Sequence, residues 1–231
     1  FPDFFQGSNL RTIHEGIDTS VACPNHNKIC DLNGLKIDRN QPILTFVNRN
    51  LERLRGFDMF MRSLPQIQKE WPDLRVLIVG DNEPGYGSGH PCGKTWKEVI
   101  LEELEGRLIL DRIHFLGRIP YPQLIALMQV SSVHVYLSYP FVLGWSLLEA
   151  MACGCAIVGS KGMPVEEVIT DGVEGLLVPL DDTCKLATRV SALLANPDLR
   201  NQLGQSARRR AIEFDQTHTL PQLTEIIESF A

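Results

Sequence analysis

Three arginines stand close together before a glycine: Arg49, Arg53 and Arg55 precede Gly56. An arginine side chain is planar and permanently charged, and it donates paired hydrogen bonds to phosphate oxygens. These arginines follow an apolar run typical of a buried strand and precede a helix pattern, and the first N–H groups of a helix also favour an anion. A solvated surface loop is the alternative, but this position in an acidic protein favours a phosphate site.

A second candidate site lies where the sequence YPFVLGWSLLEAMACG changes from loop to helix. Gly144, Trp145 and Ser146 stand at the predicted helix start, where free backbone N–H groups can meet phosphate oxygens. Glu149 follows within an otherwise apolar LLEAMA stretch. A buried carboxylate is costly without a partner, so Glu149 is expected either to bind ligand hydroxyl groups or to pair with an arginine or backbone group.

Three motifs that would indicate other chemistry are incomplete or absent. Residues 88–95, SGHPCGKT, end like a phosphate-binding P-loop, but Ser88 occupies the position of the first required glycine and no strand directly precedes the segment. No G-x-G-x-x-G follows a predicted strand, which disfavours a dinucleotide site. Cys23, His26 and Cys30 lack a fourth ligand at a spacing typical of zinc sites, so no metal site is expected.

The elements that must position these residues alternate between strand and helix along most of the chain. Short apolar runs without period-two alternation indicate strands buried on both faces, and they cover residues 43–48, 75–80, 113–116, 133–137, 156–158 and 175–178. Helix patterns separate them, and two further helices, over residues 182–194 and 197–214, precede an amphipathic tail. This order predicts a doubly wound, parallel α/β sheet, which binds ligands at the carboxyl ends of its strands.

Composition excludes several classes of protein. The 231 residues are 44% hydrophobic and 22% charged, which is typical of a globular protein and unlike disordered, collagen-like or coiled-coil chains. A net charge of −6 disfavours nucleic acid as the main partner. No apolar run reaches the roughly 20 residues that span a bilayer, and six cysteines are too few for a disulfide scaffold. We therefore expect a cytoplasmic protein, with peripheral contact to the inner membrane face as an option.

Several segments together resemble the C-terminal, nucleotide-sugar-binding half of retaining glycosyltransferases of the group 1 family, which have the GT-B fold. The resemblance runs from about residue 43 to 214 and is carried by FVNRNLERLRGFDMF, LRVLIVGD, IHFLGRIPYPQLIALMQVSSVHVYLS and LLEAMACGCAIVGSKGMPVEEVITDGVEGLLVP. It implies a Rossmann-like, donor-binding domain with C-terminal helices over residues 41–231, and a linker or remnant of the inter-domain connection over residues 1–40. Because the chain begins FPDFFQGSNL, without an initiator Met, we expect a piece of a longer enzyme.

The resemblance also implies roles for the residues that bind the donor phosphates and ribose. Arg49 and Arg55 match the basic pair that holds the donor diphosphate, with Arg55 in place of the more usual lysine. The backbone of residues 144–148 is expected to face the phosphates. Glu149 matches the glutamate that contacts the donor ribose. Donor binding is expected to need no metal and no other cofactor.

The resemblance also implies which residues lie near the base and the donor sugar. Gly117 and Arg118 match the region of the family that packs against the base. The family typically has a glutamate eight positions before the ribose glutamate, and Phe141 stands there in this chain. A phenyl ring cannot accept hydrogen bonds from sugar hydroxyls, so recognition of the donor sugar is expected to differ from the family pattern.

The implied function is transfer of a sugar from a nucleoside diphosphate sugar to an acceptor hydroxyl, with retention, in polysaccharide biosynthesis. The acceptor, whether a glycan, a lipid-linked sugar or a small molecule, is expected to bind a missing N-terminal domain. The isolated chain should then bind nucleotide without catalysing transfer. The alternative, which Phe141 favours, is a non-catalytic nucleotide-binding or nucleotide-sugar-binding module.

Overall fold

The computed structural model describes residues 13–25, 29–32, 34–37, 40–83, 85–87, 90 and 92–229. Within them, an antiparallel hairpin of β1 (Cys30–Leu32) and β2 (Leu35–Ile37) precedes a parallel sheet of β3 (Ile43–Asn50), β4 (Arg75–Asp81), β5 (Ile113–Phe115), β6 (Val133–Tyr136), β7 (Ile157–Ser160) and β8 (Leu176–Val178). The strand order is β5-β4-β3-β6-β7-β8, so the winding direction reverses between β3 and β6.

Helices cover both faces of the sheet, which confirms the predicted doubly wound α/β fold. They are α1 (Phe57–Glu70), α2 (Trp96–Glu103), α3 (Tyr121–Val130), α4 (Trp145–Ala152), α5 (Thr183–Ala195), α6 (Pro197–Ile212) and α7 (Gln216–Glu228). On β3, Leu44 and Phe46 pack in one apolar cluster with α1, α2 and α5, while Ile43 and Val47 pack in the other with α3 and α4. In the part of the chain described, no helix is long and apolar enough to cross a membrane.

Local features fix where two of these helices begin. Gly56 precedes α1 with φ at 67°, and a Cβ there would stand 2.3 Å from the Leu137 Cβ, so only glycine allows this approach. Thr95 precedes α2 in a capping box, in which its Oγ1 accepts from the Glu98 N–H at 3.2 Å and the Glu98 carboxylate accepts from the Thr95 N–H at 2.8 Å. The P-loop-like segment therefore ends as a helix cap; Ser88 lies outside the described residues.

The segment before residue 41 packs on the domain wherever it is described. Cys30, Leu32 and Ile37 of the hairpin are buried in the apolar cluster that includes α3. Ile17 donates its N–H to the Phe214 carbonyl at 3.0 Å and accepts from the N–H of residue 216 at 2.8 Å. The sequence pattern did not predict this hairpin. That residues 1–40 serve as an inter-domain linker stays a prediction, and residues 1–12 lie outside the described part.

A buried polar network lies in the middle of the sheet, between β3 and β6. Ser131 Oγ donates to the Val133 carbonyl at 3.1 Å, so it must accept from Thr45 Oγ1 at 2.7 Å. Thr45 in turn accepts from His134 Nδ1 at 2.9 Å. This chain of donors leaves His134 Nε2 as the unprotonated nitrogen, buried without a partner among the described residues. Burial accordingly lowers the pKa of His134 to about 4.

Candidate functional site

A cleft of about 890 Å³ opens at the carboxyl edge of the sheet, where the strand order reverses. The ends of β3, β4 and β6 contribute Val47, Val79 and Tyr136 to its walls. Ligands of doubly wound sheets bind at this point of the fold. The predicted site residues that line the cleft are Arg49, Arg55, Arg118, Gly144, Trp145, Ser146 and Glu149. Gly117 and Phe141 are outside its lining.

Arg55 is held in place by the loop that precedes α4. Its Nη1 donates to Ser138 Oγ at 3.0 Å and to the Val142 carbonyl at 3.1 Å. The centre of the guanidinium also lies 4.9 Å from the centre of the Phe141 ring, within the range of a cation–π contact. The charge of Arg55 is therefore fixed at the cleft wall before any ligand arrives.

Arg49, at the end of β3, is held by no such contacts. Its side chain is exposed, lines the cleft, and has no hydrogen bond or ion pair within the described ranges. Arg53, the third arginine of the cluster, pairs with Asp58 at 3.7 Å and does not line the cleft. Of the three arginines in the cluster, Arg49 and Arg55 therefore line the cleft, whereas Arg53 forms an ion pair with Asp58 of α1.

The first turn of α4 presents backbone donors to the cleft. Gly144 gives the helix no side-chain cap, and its own N–H donates to the Tyr136 hydroxyl at 2.8 Å. The N–H groups of Trp145 and Ser146 have no acceptor among the described residues. The exposed Trp145 indole N–H donates to the Glu15 carboxylate. Two backbone donors at the positive end of the helix dipole are thus available to an anion.

Glu149 places a nearly buried carboxylate in the cleft wall, with a relative exposure of 5%. Burial raises the pKa of this carboxyl, and the nearby Tyr121 hydroxyl partly offsets the effect. Within the described ranges no lysine, arginine or histidine forms an ion pair with Glu149. The arginine partner that the sequence left open is therefore not seen. The carboxylate keeps acceptor capacity for hydroxyl groups of a ligand.

The predicted base region lies at the end of β5. Gly117 adopts a positive φ of 62°, and its carbonyl accepts from the Gly80 N–H at 3.0 Å. Arg118 lines the cleft and forms an ion pair with Asp81 at 3.0 Å. Gly117 therefore shapes the turn that brings Arg118 to the cleft, without lining the cleft itself.

Phe141 lies beside the cleft between two residues that line it. One neighbour is Arg55, and the other is Tyr86, whose ring centre lies 4.9 Å from that of Phe141. Tyr86 belongs to the loop after β4. Glu52, which is buried at 4% exposure, supports that loop by accepting the Gly87 N–H at 2.7 Å.

Sequence reasoning missed several residues of this site. Glu15, Glu52, Tyr86, Tyr121 and Tyr136 all line the cleft. Glu52, Tyr121 and Tyr136 lie in segments that carry the family resemblance, but no motif in those segments distinguishes them as cleft residues, because each reaches the cleft through contacts distant in sequence. Glu52 gave the one available signal, since it is an acidic residue inside the arginine cluster.

The described part of the chain contains no evident metal-binding site. No group of three or more histidine, cysteine, aspartate or glutamate side chains stands together there in a way that could hold a metal ion. His26 of the rejected zinc set lies outside that part. That ligand binding needs no metal stays a prediction.

The sequence profile of the family described as glycosyl transferases group 1 matches residues 31–210. The chain belongs to this family. The predicted resemblance is thereby confirmed. Among curated relatives, the D-inositol 3-phosphate glycosyltransferase of Kribbella flavida is 28% identical over 213 residues, which cover 90% of this chain and 48% of that protein. The chain thus spans about half the length of the curated relatives it matches.

Solved structures of glycosyltransferases share the fold. Sucrose-phosphate synthase from Thermosynechococcus elongatus superposes with a TM-score of 0.81 at 24% identity, over 95% of this chain and 52% of that one. HepE of Anabaena, solved in complex with UDP and glucose, superposes with a TM-score of 0.76 at 21% identity, over 98% of this chain and 60% of that one. At these identities the likeness establishes the GT-B type of Rossmann-like domain.

Proposed function

We propose that this chain is the donor-binding half of a retaining glycosyltransferase and that its cleft binds a nucleoside diphosphate sugar. The observation that carries the proposal is the convergence on one cleft of Arg49, Arg55, the uncapped start of α4 and the buried Glu149. The arginines and the helix start suit the diphosphate. Glu149 suits the ribose hydroxyls, and the turn at Arg118 suits the base. Crystallisation of the structurally similar HepE with UDP and glucose supports this assignment.

During sugar transfer, the task of this site would be to stabilise the diphosphate as it leaves the sugar. Cleavage of the bond between sugar and phosphate leaves negative charge on the phosphate oxygens. Arg55 is already fixed at the cleft wall by Ser138 and Val142, and Arg49 can close on the diphosphate. Charges and dipoles that are already oriented stabilise such a leaving group without reorganisation. We propose that no metal ion is needed, because these groups supply the positive charge.

Calorimetric titration of the 231-residue chain with UDP, GDP and ADP tests the proposal. We expect one of the three to bind and its nucleoside to bind more weakly, since the nucleoside lacks the groups that meet the arginines. Failure of all three diphosphates to bind would refute the proposed function. The same titrations identify the base.

The proposal extends to activity. Among the described residues that line the cleft, none forms an evident binding site for an acceptor, and the chain covers 48% of the D-inositol 3-phosphate glycosyltransferase of Kribbella flavida. We propose that the acceptor binds another domain and that the isolated chain binds nucleotide without transferring sugar. Transfer by the 231-residue chain alone, followed with a radiolabelled donor, would contradict this. A cytoplasmic location and a role in polysaccharide biosynthesis stay predictions.

A second candidate function is a non-catalytic module that binds nucleotide sugars. Phe141 favours it, because a ring stands where the family typically has a carboxylate. The two candidates differ in turnover by the longer protein to which the chain is expected to belong. Release of free diphosphate in the presence of acceptor extracts would select the enzyme, and tight binding without release would select the module.

A further inference from the structure

Apolar and aromatic side chains cluster near Arg55, where Tyr86 and Val142 line the cleft and Phe141 lies directly beside it. Phe141, Tyr86 and Val142 are respectively 38%, 59% and 65% exposed. The Phe141 and Tyr86 ring centres lie 4.9 Å apart with an angle of 49° between the ring planes. Such a distance and tilt are typical of a stable aromatic pair. We call Phe141 and Tyr86 together the aromatic wall.

The aromatic wall is anchored on both sides. On one side the Arg55 guanidinium lies over the Phe141 ring and donates a hydrogen bond to the Val142 carbonyl. On the other side Glu52 accepts the Gly87 N–H at 2.7 Å. Just after β4, the Asn50 side-chain amide also donates to the Glu83 carbonyl at 2.9 Å.

Gly85, the residue before Tyr86, lies in close contact with Glu52. A Cβ at Gly85 would stand 2.4 Å from Glu52 Oε1, so the backbone lies directly on the buried carboxylate. Tyr86 is therefore oriented by long-range contacts, although its ring is exposed. An exposed ring that is held in place loses little conformational freedom when a ligand covers it.

We propose that the aromatic wall binds the donor sugar by stacking against the C–H face of its ring. The inference rests on the proposed function. The nucleoside, the diphosphate and the sugar follow one another in the covalent order of such a donor. With the nucleoside at Glu149 and the diphosphate at Arg55, the sugar is the next group along the molecule, and we place it beside Arg55, where the Phe141 ring stands 4.9 Å from the guanidinium. A pyranose with equatorial hydroxyls has an apolar face of axial hydrogens, and covering it with a ring removes apolar surface from water. The substrate class is a hexopyranosyl donor with such a face.

Tyr86 provides the cleaner test, because it shares no contact with the diphosphate-binding arginines in the described structure. The affinities of UDP-, GDP- and ADP-glucose are measured against the matching diphosphates by calorimetry. In Tyr86→Ala we expect the ratio of conjugate affinity to diphosphate affinity to fall about fivefold, with the diphosphate itself changed by less than about twofold. Tyr86→Phe keeps the ring and should behave as wild type. An unchanged ratio in Tyr86→Ala overturns the inference.

Phe141 separates stacking from the positioning of Arg55. Phe141→Ala should weaken the diphosphate somewhat, because Arg55 loses its support, but the conjugate more. Phe141→Tyr keeps the ring as the matched control. Phe141→Glu introduces a carboxylate next to Arg55, and we expect the affinity ratio to fall there too. A ratio that rises in Phe141→Glu, or equal losses of conjugate and diphosphate in Phe141→Ala, overturns sugar stacking.

The failures of the two proposals are distinguishable. If no diphosphate binds the wild-type chain, the proposed function fails and this inference fails with it. If a diphosphate binds through Arg49 but the aromatic variants leave the affinity ratio unchanged, only the aromatic wall is refuted.

Discussion

Polar side chains on and next to the central strands β3 and β6 lie in two regions, the sheet interior and its carboxyl edge. They are paired in the first region, whereas some of them have no partner among the described residues in the second. In the interior, Thr45, Ser131 and His134 bond to one another in a chain that ends at a backbone carbonyl. A few residues further along β3, Arg49 faces the cleft with its donors unused in the described structure. In the same cleft, α4 begins with two backbone N–H groups that have no acceptor among the described residues.

This contrast separates stability from binding. The interior hydroxyls and His134 Nδ1 have no access to water, so they bond to one another within the fold, and the loss of these hydrogen bonds destabilises the protein. At the edge, water satisfies the open groups until a ligand replaces it. Loss of an edge group should therefore weaken ligand binding and leave the free energy of unfolding nearly unchanged.

The largest expected effect concerns the interior and pH. Burial lowers the pKa of His134 to about 4, below the 6.5 of an exposed histidine. The unfolded chain therefore binds the proton first, and stability that is complete above pH 6.5 is lost as the pH falls towards 4. We expect the free energy of unfolding to drop by about 2 kcal/mol between pH 7 and pH 5. Urea denaturation at both pH values measures it.

The control for this effect is His134→Gln, which cannot titrate. His114, whose pKa is lowered by burial and by Arg75 and Arg112, contributes in the same pH range but is present in both proteins. The difference between the two pH profiles therefore isolates His134. Identical profiles would contradict the buried interior network.

The next effect concerns the edge. Arg49→Ala should weaken the diphosphate that binds by roughly tenfold, or about 1.5 kcal/mol, because a charge-assisted hydrogen bond to phosphate is lost. The bare nucleoside should lose little affinity, and the thermal unfolding midpoint should not move. Arg53→Ala removes an arginine of the same loop that pairs with Asp58 outside the cleft, and it serves as the matched control. Equal losses for nucleoside and diphosphate would refute the phosphate assignment.

A smaller effect is expected at Glu149, which lies between the two regions because it is buried and yet lines the cleft. Glu149→Gln should weaken the ribonucleoside diphosphate about fivefold, since a neutral amide is a poorer acceptor for ribose hydroxyls. The 2′-deoxy analogue should lose less. The free energy of unfolding should hold or rise, because the variant buries no charge. A loss of stability with unchanged diphosphate affinity would show that Glu149 has a structural role, like the residues of the interior network, and does not bind the ribose.

The last prediction is that removal of metal ions has no effect on binding. EDTA should leave diphosphate affinity unchanged in calorimetry, because arginines and helix N–H groups supply the positive charge at the edge. Abolished binding in EDTA, restored by magnesium, would show that a metal ion is part of the site.

The site could be predicted in part, and its residues show where prediction stopped. Arg49, Arg55 and Glu149 stand out because their residue types conflict with the apolar segments around them. The roles of Arg55 and Arg53 could not be told apart, since the difference lies in contacts with Ser138 and Asp58 on other elements. Tyr86 gave no signal, because its orientation depends on Glu52 from another loop.

The sequence by itself determined the alternation of strands and helices, the doubly wound class and the family. These properties follow from the periodicity of apolar residues and from short motifs, which are local. Only the tertiary structure decided three features. The hairpin of β1 and β2 packs on α3, Arg55 is held by its neighbours while Arg49 has no side-chain partner among the described residues, and the Phe141 ring packs against Tyr86. Each of these depends on side chains brought together from distant segments, and packing at that range leaves no periodic trace in the sequence.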